Sequence, residues 1–457
     1  MEKTIAAIST AMSASGIGIV RISGPQAMDV ISRIYRSKGG KKNIKKVQSH
    51  TIHYGYIYDE EEVIDEVLVM VMRAPRTYTG EDTVEIDCHG GVFAMGRVLE
   101  TVLKNGAKIA EPGEFTKRAF LNGRLDLSQA EAVMDLIQAK NEFALNSSMS
   151  QLKGSVKRTI GEIRSALLYQ IAYIESALDD PEHISLDGYP EQLLEVVEKQ
   201  KEEVSRLLES SSDGKIIREG IRTVILGKPN AGKSSLLNLL TGENRAIVTD
   251  IAGTTRDVLE EYITLHGITL KMADTAGIRD TEDLVEKIGV SRAKELAKDA
   301  DLILYVVDSS TPLDENDRQI IHLLEGKKTI VLYNKTDLEP VASLEEIREK
   351  IPHPVVPISA KEETGIHELE EEIKRLFFSG EITFNDQIYI TNSRHKEALG
   401  EAFESLKMVE ESIQNGLPED FFSIDLMSAY ESLGRIIGES VGEDLVNEIF
   451  SKFCMGK

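Results

Sequence analysis

A glycine-rich loop in the middle of the chain has the residue types and spacing of a phosphate-binding loop. It reads Gly-Lys-Pro-Asn-Ala-Gly-Lys-Ser over residues 227–234, after the apolar run 223–226 and before a helical pattern at 235–240. In that order of strand, loop and helix, backbone N–H groups surround a β-phosphate at a helix N-terminus. Lys233 is expected to reach the β- and γ-phosphate oxygens, and the Ser234 hydroxyl is expected to bind Mg²⁺. The loop residues expected to contact the nucleotide are Asn230, Ala231, Gly232, Lys233, Ser234 and Ser235.

Two later segments predict the rest of the Mg²⁺ shell. Residues 274–277, Asp-Thr-Ala-Gly, follow an apolar stretch and are typical of a Walker B element, in which a carboxylate joins the Mg²⁺ shell and a glycine senses the γ-phosphate. Residues 253–257 lie between this element and the phosphate loop, where a switch loop must supply a hydroxyl to Mg²⁺. Thr255 is the better candidate for that ligand. The nucleotide contacts expected from these segments are Thr254, Thr255, Asp274, Thr275, Ala276 and Gly277, together with Thr249 shortly before the first of them.

Recognition of guanine is predicted by Asn334-Lys335-Thr336-Asp337, which closes the apolar strand 329–333. The Asp337 carboxylate can accept both the N1–H and the exocyclic amine of guanine, whereas adenine offers no such pair, so the motif favours GTP over ATP. Ser359, Ala360 and Lys361 follow the apolar run 355–358 and fit a second loop that contacts the base. Either pattern alone is typical of an ordinary surface loop. The order of all these motifs along the chain predicts a GTP-binding domain.

The hydrolytic machinery differs from that of Ras-like GTPases. Ile278 stands after Asp-Thr-Ala-Gly, where those enzymes hold the glutamine that orients the attacking water. Another positive charge is also needed, since an arginine finger contributes roughly 10³ to 10⁵ in rate. The Asn230 amide, with carbonyls of a loop that starts near Thr249, could hold a monovalent cation there, although an Asx turn explains Asn230 equally well. Glu286 could orient the water or could simply be a solvated carboxylate.

Length, charge and cysteine content bound the class of protein. A chain of 457 residues suits about three domains, and a formal net charge of −24 disfavours nonspecific binding of nucleic acid. The basic cluster at residues 38–46 is either a solvated loop or a local RNA contact. No apolar run approaches the roughly 18 to 20 residues that span a bilayer, and the first residues lack the pattern of a signal peptide. These two features predict no membrane anchor. Cys88 and Cys454 have no paired spacing, which fits a reducing cytoplasm and predicts neither a disulfide framework nor a structural zinc site.

The elements that must position these motifs fall into four predicted segments. Residues 1–118 alternate short strands with helical pieces and predict an α+β domain, and 216–380 hold the nucleotide motifs. Residues 119–215 and 381–457 have helical spacing, with a polar linker expected at 210–214. The residues expected on one helix face are Ile160, Ile163, Leu167, Ile171, Ile174 and Leu178. The pattern favours a nucleotide domain inserted into one helical domain that acts as a lever for the switch loops, and two separate bundles are the alternative.

Over essentially its full length, the chain resembles the MnmE (TrmE) family of bacterial tRNA-modification GTPases. Besides the guanine-nucleotide motifs, the resemblance rests on Arg-Ile-Ser-Gly at 21–24, Tyr-Thr-Gly-Glu-Asp at 78–82, His-Gly-Gly at 89–91, Pro-Gly-Glu-Phe at 112–115 and Phe-Cys-Met-Gly-Lys at 453–457. It implies a multidomain fold in which a Ras-like P-loop G domain, with a mostly parallel sheet and helices on both faces, is inserted in a helical domain after an α+β domain similar to tetrahydrofolate-binding proteins.

The resemblance also implies an activity and partners. Family members are cytoplasmic homodimers joined through their N-terminal domains, and their GTP hydrolysis is stimulated by K⁺ and coupled to dimerisation of the G domains. With the flavoprotein MnmG (GidA) they add an aminomethyl or carboxymethylaminomethyl group to carbon 5 of wobble uridine 34 in certain tRNAs. The one-carbon unit comes from a bound folate, 5-formyltetrahydrofolate or methylene-tetrahydrofolate.

Site residues follow from the same resemblance, position by position. The implied folate contacts are Arg21, Glu85, Arg124 and Lys457. The implied K⁺ ligands are Asn230, Thr249, Ile251 and Thr254, and the Mg²⁺ ligands are Ser234 and Thr255. The implied catalytic residues are Glu286, Lys233 and Cys454. Arg124 stands where some members have lysine, which makes folate contact there less secure because the two side chains are not interchangeable in a tight geometry. For Cys454, chemistry alone favours a small residue in a terminal tail over a nucleophile.

A ribosome-assembly GTPase that binds rRNA is the rival hypothesis, since it would carry the same nucleotide motifs. Such proteins usually add a basic module after the G domain, whereas residues 392–457 carry an acidic set: Glu401, Glu404, Glu410, Glu411, Glu419 and Asp420. A membrane-coupled regulatory GTPase would need an anchor that the sequence lacks. Modification of tRNA is therefore the favoured function.

Overall fold

The computed structural model describes residues 3–40, 42–242, 261–265, 267–273, 296–377, 388–439 and 441–456. The chain forms two compact units. The first unit comprises Met1–Ile137, Ser150–Glu198 and Glu404–Lys457, and the second comprises Gln138–Met149 and Lys199–Phe403. The four predicted domain boundaries stay predictions.

The first unit contains a seven-stranded sheet in the order β3-β4-β5-β6-β2-β1-β7. Its strands are β1 (Ile5–Ile8), β2 (Ile17–Ser23), β3 (Tyr35–Ser37), β4 (Thr51–Asp59), β5 (Glu62–Met72), β6 (Thr83–His89) and β7 (Lys108–Ile109). All neighbours are antiparallel except β1 and β7. Helices α1 (Ala27–Ile34) and α2 (Val92–Lys104) cover one face, where strand residues such as Val20, Val69 and Ile86 are buried. Alternate residues point to the other face, which therefore carries side chains that are free for a site.

The helices described before and after the second sheet confirm most of the predicted helical spacing. They are α3 (Glu114–Leu121), α4 (Leu127–Gln138), α5 (Glu142–Leu152), α6 (Ser155–Asp179), α7 (Tyr189–Glu219), and, after the second sheet, α12 (Ser393–Gln414), α13 (Glu419–Ile437) and α14 (Glu443–Ser451). Helix α6 packs along α13 and buries Ile160, Ile163, Leu167, Ile171 and Ile174, as predicted. The prediction was wrong for Leu178, which lies in the last turn of α6 and is 48% exposed.

The predicted polar linker at residues 210–214 is also wrong, because these residues continue helix α7. Their small size has a packing cause. A side chain at Gly214 would place its Cβ 2.3 Å from the Ile390 carbonyl oxygen, and the Ser210 hydroxyl accepts a hydrogen bond from the Ile390 N–H at 3.2 Å. Small and polar residues here therefore let a distant segment approach the helix closely.

The second unit contains a six-stranded sheet in the order β13-β12-β11-β8-β10-β9, parallel except for β9. Its strands are β8 (Ile221–Gly227), β9 (Glu261–Leu265), β10 (Ile268–Met272), β11 (Leu302–Asp308), β12 (Thr329–Asn334) and β13 (Val355–Pro357). Its helices are α8 (Lys233–Thr241), α9 (Glu315–Leu323), α10 (Leu344–Lys350) and α11 (Ile366–Phe377). Every residue of β11 and β12 is buried, as expected for parallel strands covered on both faces.

Two apolar cores lie on the two faces of this sheet. Ile225 and Leu304 pack with α8 and α11 on one face, and Val224 and Tyr305 pack with α10 on the other. The predicted P-loop fold, a mostly parallel sheet with helices on both sides, is confirmed. No helix of the described residues is long and apolar enough to cross a membrane.

Candidate functional site

The phosphate loop connects β8 to α8 at the carboxyl edge of the second sheet, where ligands of open α/β sheets bind. Two of its glycines are required by the backbone. Gly227 (φ +155°) would place a Cβ 2.5 Å from the Val306 carbonyl oxygen, and Gly232 (φ +101°) would place one 2.2 Å from Asn334 Nδ2. Asn230 also lies in the left-handed region, at φ +63°, a conformation that asparagine tolerates better than most residues. The predicted loop is thus held in a conformation that ordinary side chains would disrupt.

The lysine of this loop is folded back onto the loop itself. Lys233 Nζ donates to the carbonyl oxygens of Gly227 at 2.9 Å and Lys228 at 2.7 Å. Burial lowers the pKa of Lys233, and a bound phosphate would favour its charged form. Ser234 and Ser235 follow in the exposed first turn of α8, where the helix N-terminus favours an anion.

Asn334, at the end of β12, connects three loops of the candidate site. Its buried side chain donates to the Ala231 carbonyl oxygen at 2.8 Å and accepts from the Ala360 N–H at 3.1 Å. The phosphate loop and the two predicted base loops therefore share one amide. The structure brings together the residues that the sequence assigned separately to phosphate and base.

The predicted base-reading carboxylate is oriented by the second base loop. Asp337 Oδ1 accepts from the Ser359 hydroxyl at 2.7 Å, and Lys361 Nζ lies 3.8 Å from Asp337 Oδ2. The hydrogen bond from Ser359 lowers the pKa of Asp337, so the carboxylate is charged at neutral pH, as acceptance of two N–H groups requires.

Asp308, which the sequence reasoning missed, stabilises the same loop. Lys335 adopts φ +64°, and its Nζ lies 2.6 Å from Asp308 Oδ2 at the end of β11. Burial raises the pKa of Asp308, but the hydrogen bonds from Lys335 and Ser310 outweigh burial and lower it overall. A carboxylate at the end of an apolar strand was the sequence signal that could have identified Asp308.

The other predicted nucleotide and catalytic residues lie outside the part of the chain that the structure describes. They are Thr249, Ile251, Thr254, Thr255, Asp274, Thr275, Ala276, Gly277 and Glu286. The same holds for the predicted folate contact Lys457.

A second cluster lies in the first unit, on the sheet face opposite α1 and α2. Arg21 of β2 and Glu85 of β6 are direct cross-strand partners, with Arg21 Nε 2.7 Å from Glu85 Oε1. The Arg21 guanidinium lies 5.6 Å from the ring centres of both Tyr78 and Phe115, and that of Arg124 lies 5.0 Å from Tyr78. Two of the predicted folate contacts, Arg21 and Arg124, thus lie against one tyrosine, and a third, Glu85, pairs with Arg21. The sequence did not predict Tyr78 and Phe115 as site residues, although they lie in the motifs at 78–82 and 112–115.

The last described residues complete this cluster. The Gly456 carbonyl oxygen accepts from Arg21 Nη1 at 3.3 Å and from the Ser9 hydroxyl at 3.1 Å. Gly456 has φ +83°, and a Cβ there would lie 2.4 Å from the Ile8 carbonyl oxygen. The Cys454 carbonyl oxygen accepts from the Gly113 N–H at 3.3 Å, while the Cys454 side chain is exposed. The tail backbone is therefore bound to the N-terminal sheet, and the thiol faces solvent.

Comparison with known families assigns both parts of the chain. A profile described as "GTP-binding protein TrmE N-terminus" matches residues 4–124, and one described as "MnmE helical domain" matches residues 127–454. The tRNA modification GTPase MnmE of Lachnoclostridium phytofermentans is 60% identical over 454 residues, which cover 99% of each chain. That of Bacillus subtilis is 49% identical and covers 99% of this chain and all of its own. Among solved structures, the G domain of the T. maritima FeoB iron transporter is 29% identical, covers 34% of this chain and 98% of its own, and has a TM-score of 0.26.

Proposed function

Since this chain belongs to the MnmE family of tRNA modification GTPases, we propose that it hydrolyses GTP as part of a reaction that modifies wobble uridine 34 of tRNA. The observation that carries the GTP assignment is the Asn334 amide, which joins the phosphate loop to the loops around Asp337. In hydrolysis, water attacks the γ-phosphorus and the bond to the β–γ bridging oxygen breaks. GDP and inorganic phosphate then leave.

The modification itself is tested in cells. Mass spectrometry of wobble nucleosides from a deletion strain should show loss of the aminomethyl or carboxymethylaminomethyl group at carbon 5 of uridine 34. Complementation with the wild-type gene restores it. Unchanged modification together with a ribosome-assembly defect would favour the rival rRNA-binding GTPase.

We propose that Mg²⁺ is held by Ser234 and Thr255 and that K⁺, held by Asn230 with Thr249, Ile251 and Thr254, supplies the charge that an arginine finger supplies elsewhere. Glu286 then orients the attacking water. Of these residues the structure describes Ser234 and Asn230, which lie exposed at the two ends of the phosphate-binding turn. When bound, K⁺ would stabilise negative charge on the β- and γ-phosphates.

Because Asn230 has a backbone reason to be asparagine, the K⁺ test must separate its amide from its conformation. Asn230→Gly keeps access to positive φ and removes the amide oxygen, whereas Asn230→Ala changes both. GTP turnover in KCl and NaCl at equal ionic strength should differ for the wild type and become equal for Asn230→Gly. If Asn230→Gly still hydrolysed GTP faster in KCl than in NaCl, the role of Asn230 would be limited to the conformation of the turn.

We further propose that the Arg21, Glu85, Arg124 and Tyr78 cluster, with Lys457, binds the folate that donates the one-carbon unit. Two guanidinium groups and one aromatic ring suit a ligand that combines carboxylates with a flat heterocycle, and Glu85 can accept N–H groups of that heterocycle. Calorimetric titration with 5-formyltetrahydrofolate should show weaker binding for Arg21→Met and Arg124→Met. Arg97→Met is the matched control. Arg97 lies on helix α2, which covers the other face of the sheet, and its guanidinium pairs with Glu62 of β5.

A homodimer formed through the first unit and a complex with the flavoprotein MnmG complete the proposal, in the cytoplasm. Support for the homodimer comes from the sheet face that bears Arg21, which also exposes Ile17 (64%), Ile52 (57%) and Leu68 (42%). Exposed apolar side chains concentrated on one face favour a protein partner. Sedimentation should give a dimer for the wild type and a monomer for Leu68→Asp. A Leu68→Asp dimer would place the contact elsewhere.

A further inference from the structure

An ion pair outside the expected nucleotide contacts attaches the phosphate loop to helix α9. Lys228, the residue after Gly227, places Nζ 2.6 Å from Asp317 Oδ2 and 3.1 Å from Asp314 Oδ2. Its Nζ also lies 3.3 Å from the Pro312 carbonyl oxygen. The Lys228 side chain is 13% exposed and that of Asp317 is fully buried. This contact is therefore part of the packed interior.

Asp317 is itself fixed from two further directions. Its Oδ1 accepts from the hydroxyl of the buried Tyr305 at 2.8 Å, and its Oδ2 accepts from the Asp314 N–H at 2.9 Å. Asp314 in turn caps α9 through the N–H groups of Asn316 and Asp317. A buried carboxylate with three donors, one of them charged, is a rigid anchor, because any displacement would leave it unpaired.

The loop has other attachments: Lys233 Nζ donates to the carbonyl oxygens of Gly227 and Lys228, and residues later in the chain hold its second half. Asn334 binds the carbonyl of Ala231, and helix α8 begins at Lys233. The first half of the loop follows Gly227, which has the greatest backbone freedom of any residue type. Burial lowers the pKa of Lys228, but the bonds to Asp317 and Asp314 outweigh burial and raise it, so the ammonium group is charged. The carboxylates of Asp317 and Asp314 neutralise that charge. We therefore assign Lys228 a role in the geometry of the loop and not in stabilising the charge of the phosphates.

We propose that Lys228 is a positioning residue for nucleotide binding. Its ion pair with Asp317 holds the first half of the phosphate loop, so that the backbone N–H groups that follow Pro229 stand ready for the β-phosphate. The inference rests on the proposed GTP binding and assigns a role to a residue whose charge is paired with two carboxylates. Preorganised donors lower the cost of ordering a loop on binding.

The test measures binding of N-methylanthraniloyl-GDP by fluorescence in NaCl, where K⁺ plays no part. Lys228→Met and Asp317→Asn should each weaken binding at least about tenfold, the effect of roughly one misplaced hydrogen bond to a charged group. Lys228→Arg should restore most of the affinity because arginine keeps the charge. Discrimination between GDP and IDP should stay constant, since the base loops are untouched. Lys350→Met, which removes the exposed pair with Glu346, is the matched control and should leave affinity unchanged.

Loss of stability has to be separated from loss of position. Lys228→Met leaves a buried carboxylate without its cation, so the double variant Lys228→Met/Asp317→Asn, which removes both charges and keeps an acceptor for the Tyr305 hydroxyl, is measured as well. It should unfold near the wild-type temperature and still bind the labelled GDP weakly. Ile373→Ala removes buried apolar volume on helix α11 and should lower the unfolding temperature without weakening binding. Wild-type affinity in the double variant would overturn the positioning role, and failure of the wild type to bind any guanine nucleotide would overturn the proposed function with it.

Discussion

The base-reading role of Asp337 makes a sharp prediction about nucleotide choice. Asp337→Asn should exchange a preference for guanine nucleotides for a preference for xanthine nucleotides. Guanine presents two donors to this position, N1–H and the exocyclic amine, whereas xanthine presents N1–H and a carbonyl oxygen. An asparagine amide has one acceptor and one donor, which matches xanthine and opposes guanine.

The size of the effect follows from how Asp337 is held. Ser359 uses one acceptor position of Oδ1 at 2.7 Å and fixes the plane of the carboxylate, which leaves both oxygens able to accept from the base. A hydrogen bond to a charged partner changes affinity by roughly 10- to 100-fold. Asparagine keeps a neutral acceptor for N1–H and loses the bond from the exocyclic amine, so GDP binding should weaken by at least about 10- to 100-fold. Affinity for XDP should rise in the same variant.

Competition of GDP and XDP against a fluorescent nucleotide measures both affinities in one assay. Glu339→Gln neutralises an exposed carboxylate two residues away and controls for the general loss of negative charge. An Asp337→Asn variant that bound GDP like the wild type, or that lost both nucleotides equally, would refute the assignment of the base to this carboxylate.

Three further predictions concern the first unit. A thiol reagent at pH 8 should label one cysteine per native chain, Cys454, because burial raises the pKa of Cys88 to about 11 and the Cys454 side chain is exposed. Cys454→Ser should abolish labelling. Two labelled sites in the native wild type would contradict the burial of Cys88. The hydrogen bond to Asp65 raises the pKa of His89, so this attraction stabilises the fold below the ordinary pKa near 6.5 and is lost as pH rises through the raised value. NMR titration should show the shift in the wild type and its absence in Asp65→Asn. Gly456→Ala should detach the tail, and weaker folate binding with an unchanged unfolding temperature would show it, whereas wild-type affinity would exclude a role for the tail.

The nucleotide domain could be predicted from sequence because its motifs act through local geometry. A strand, a glycine turn and a helix start within a dozen residues, and the positive φ angles of Gly227 and Gly232 explain why glycine stands at these positions. The identities of Asp337 and Ser359 predicted a base site, and the structure places them 2.7 Å apart. Local spacing suffices here because the backbone itself forms most of the site.

Contacts between distant segments could not be predicted in this way. The pairing of Arg21 with Glu85 depends on the register of β2 against β6, and a shift of one residue in either strand would turn the charged side chain of that strand to the buried face. The ion pair between Lys228 and Asp317 joins the phosphate loop to the first turn of helix α9, and no local sequence pattern connects these two segments. The serines and glycine at 210–214 show a different error. Their composition is typical of a linker, but here small residues in helix α7 allow the segment around Ile390 to approach closely.

The tail and the phosphate loop share one structural device, which bears on how each site is assembled. In both, a glycine at positive φ lies against a carbonyl of another element: Gly456 against Ile8, and Gly227 against Val306. Gly227 and Val306 are register partners of β8 and β11, so their close approach is part of the second sheet itself. Arg21 and Glu85 are likewise register partners of β2 and β6, whereas the Gly456 carbonyl reaches Arg21 from the last residues of the chain. Truncation before Gly456 should therefore leave a folded sheet in which Arg21 keeps Glu85 and lacks one acceptor.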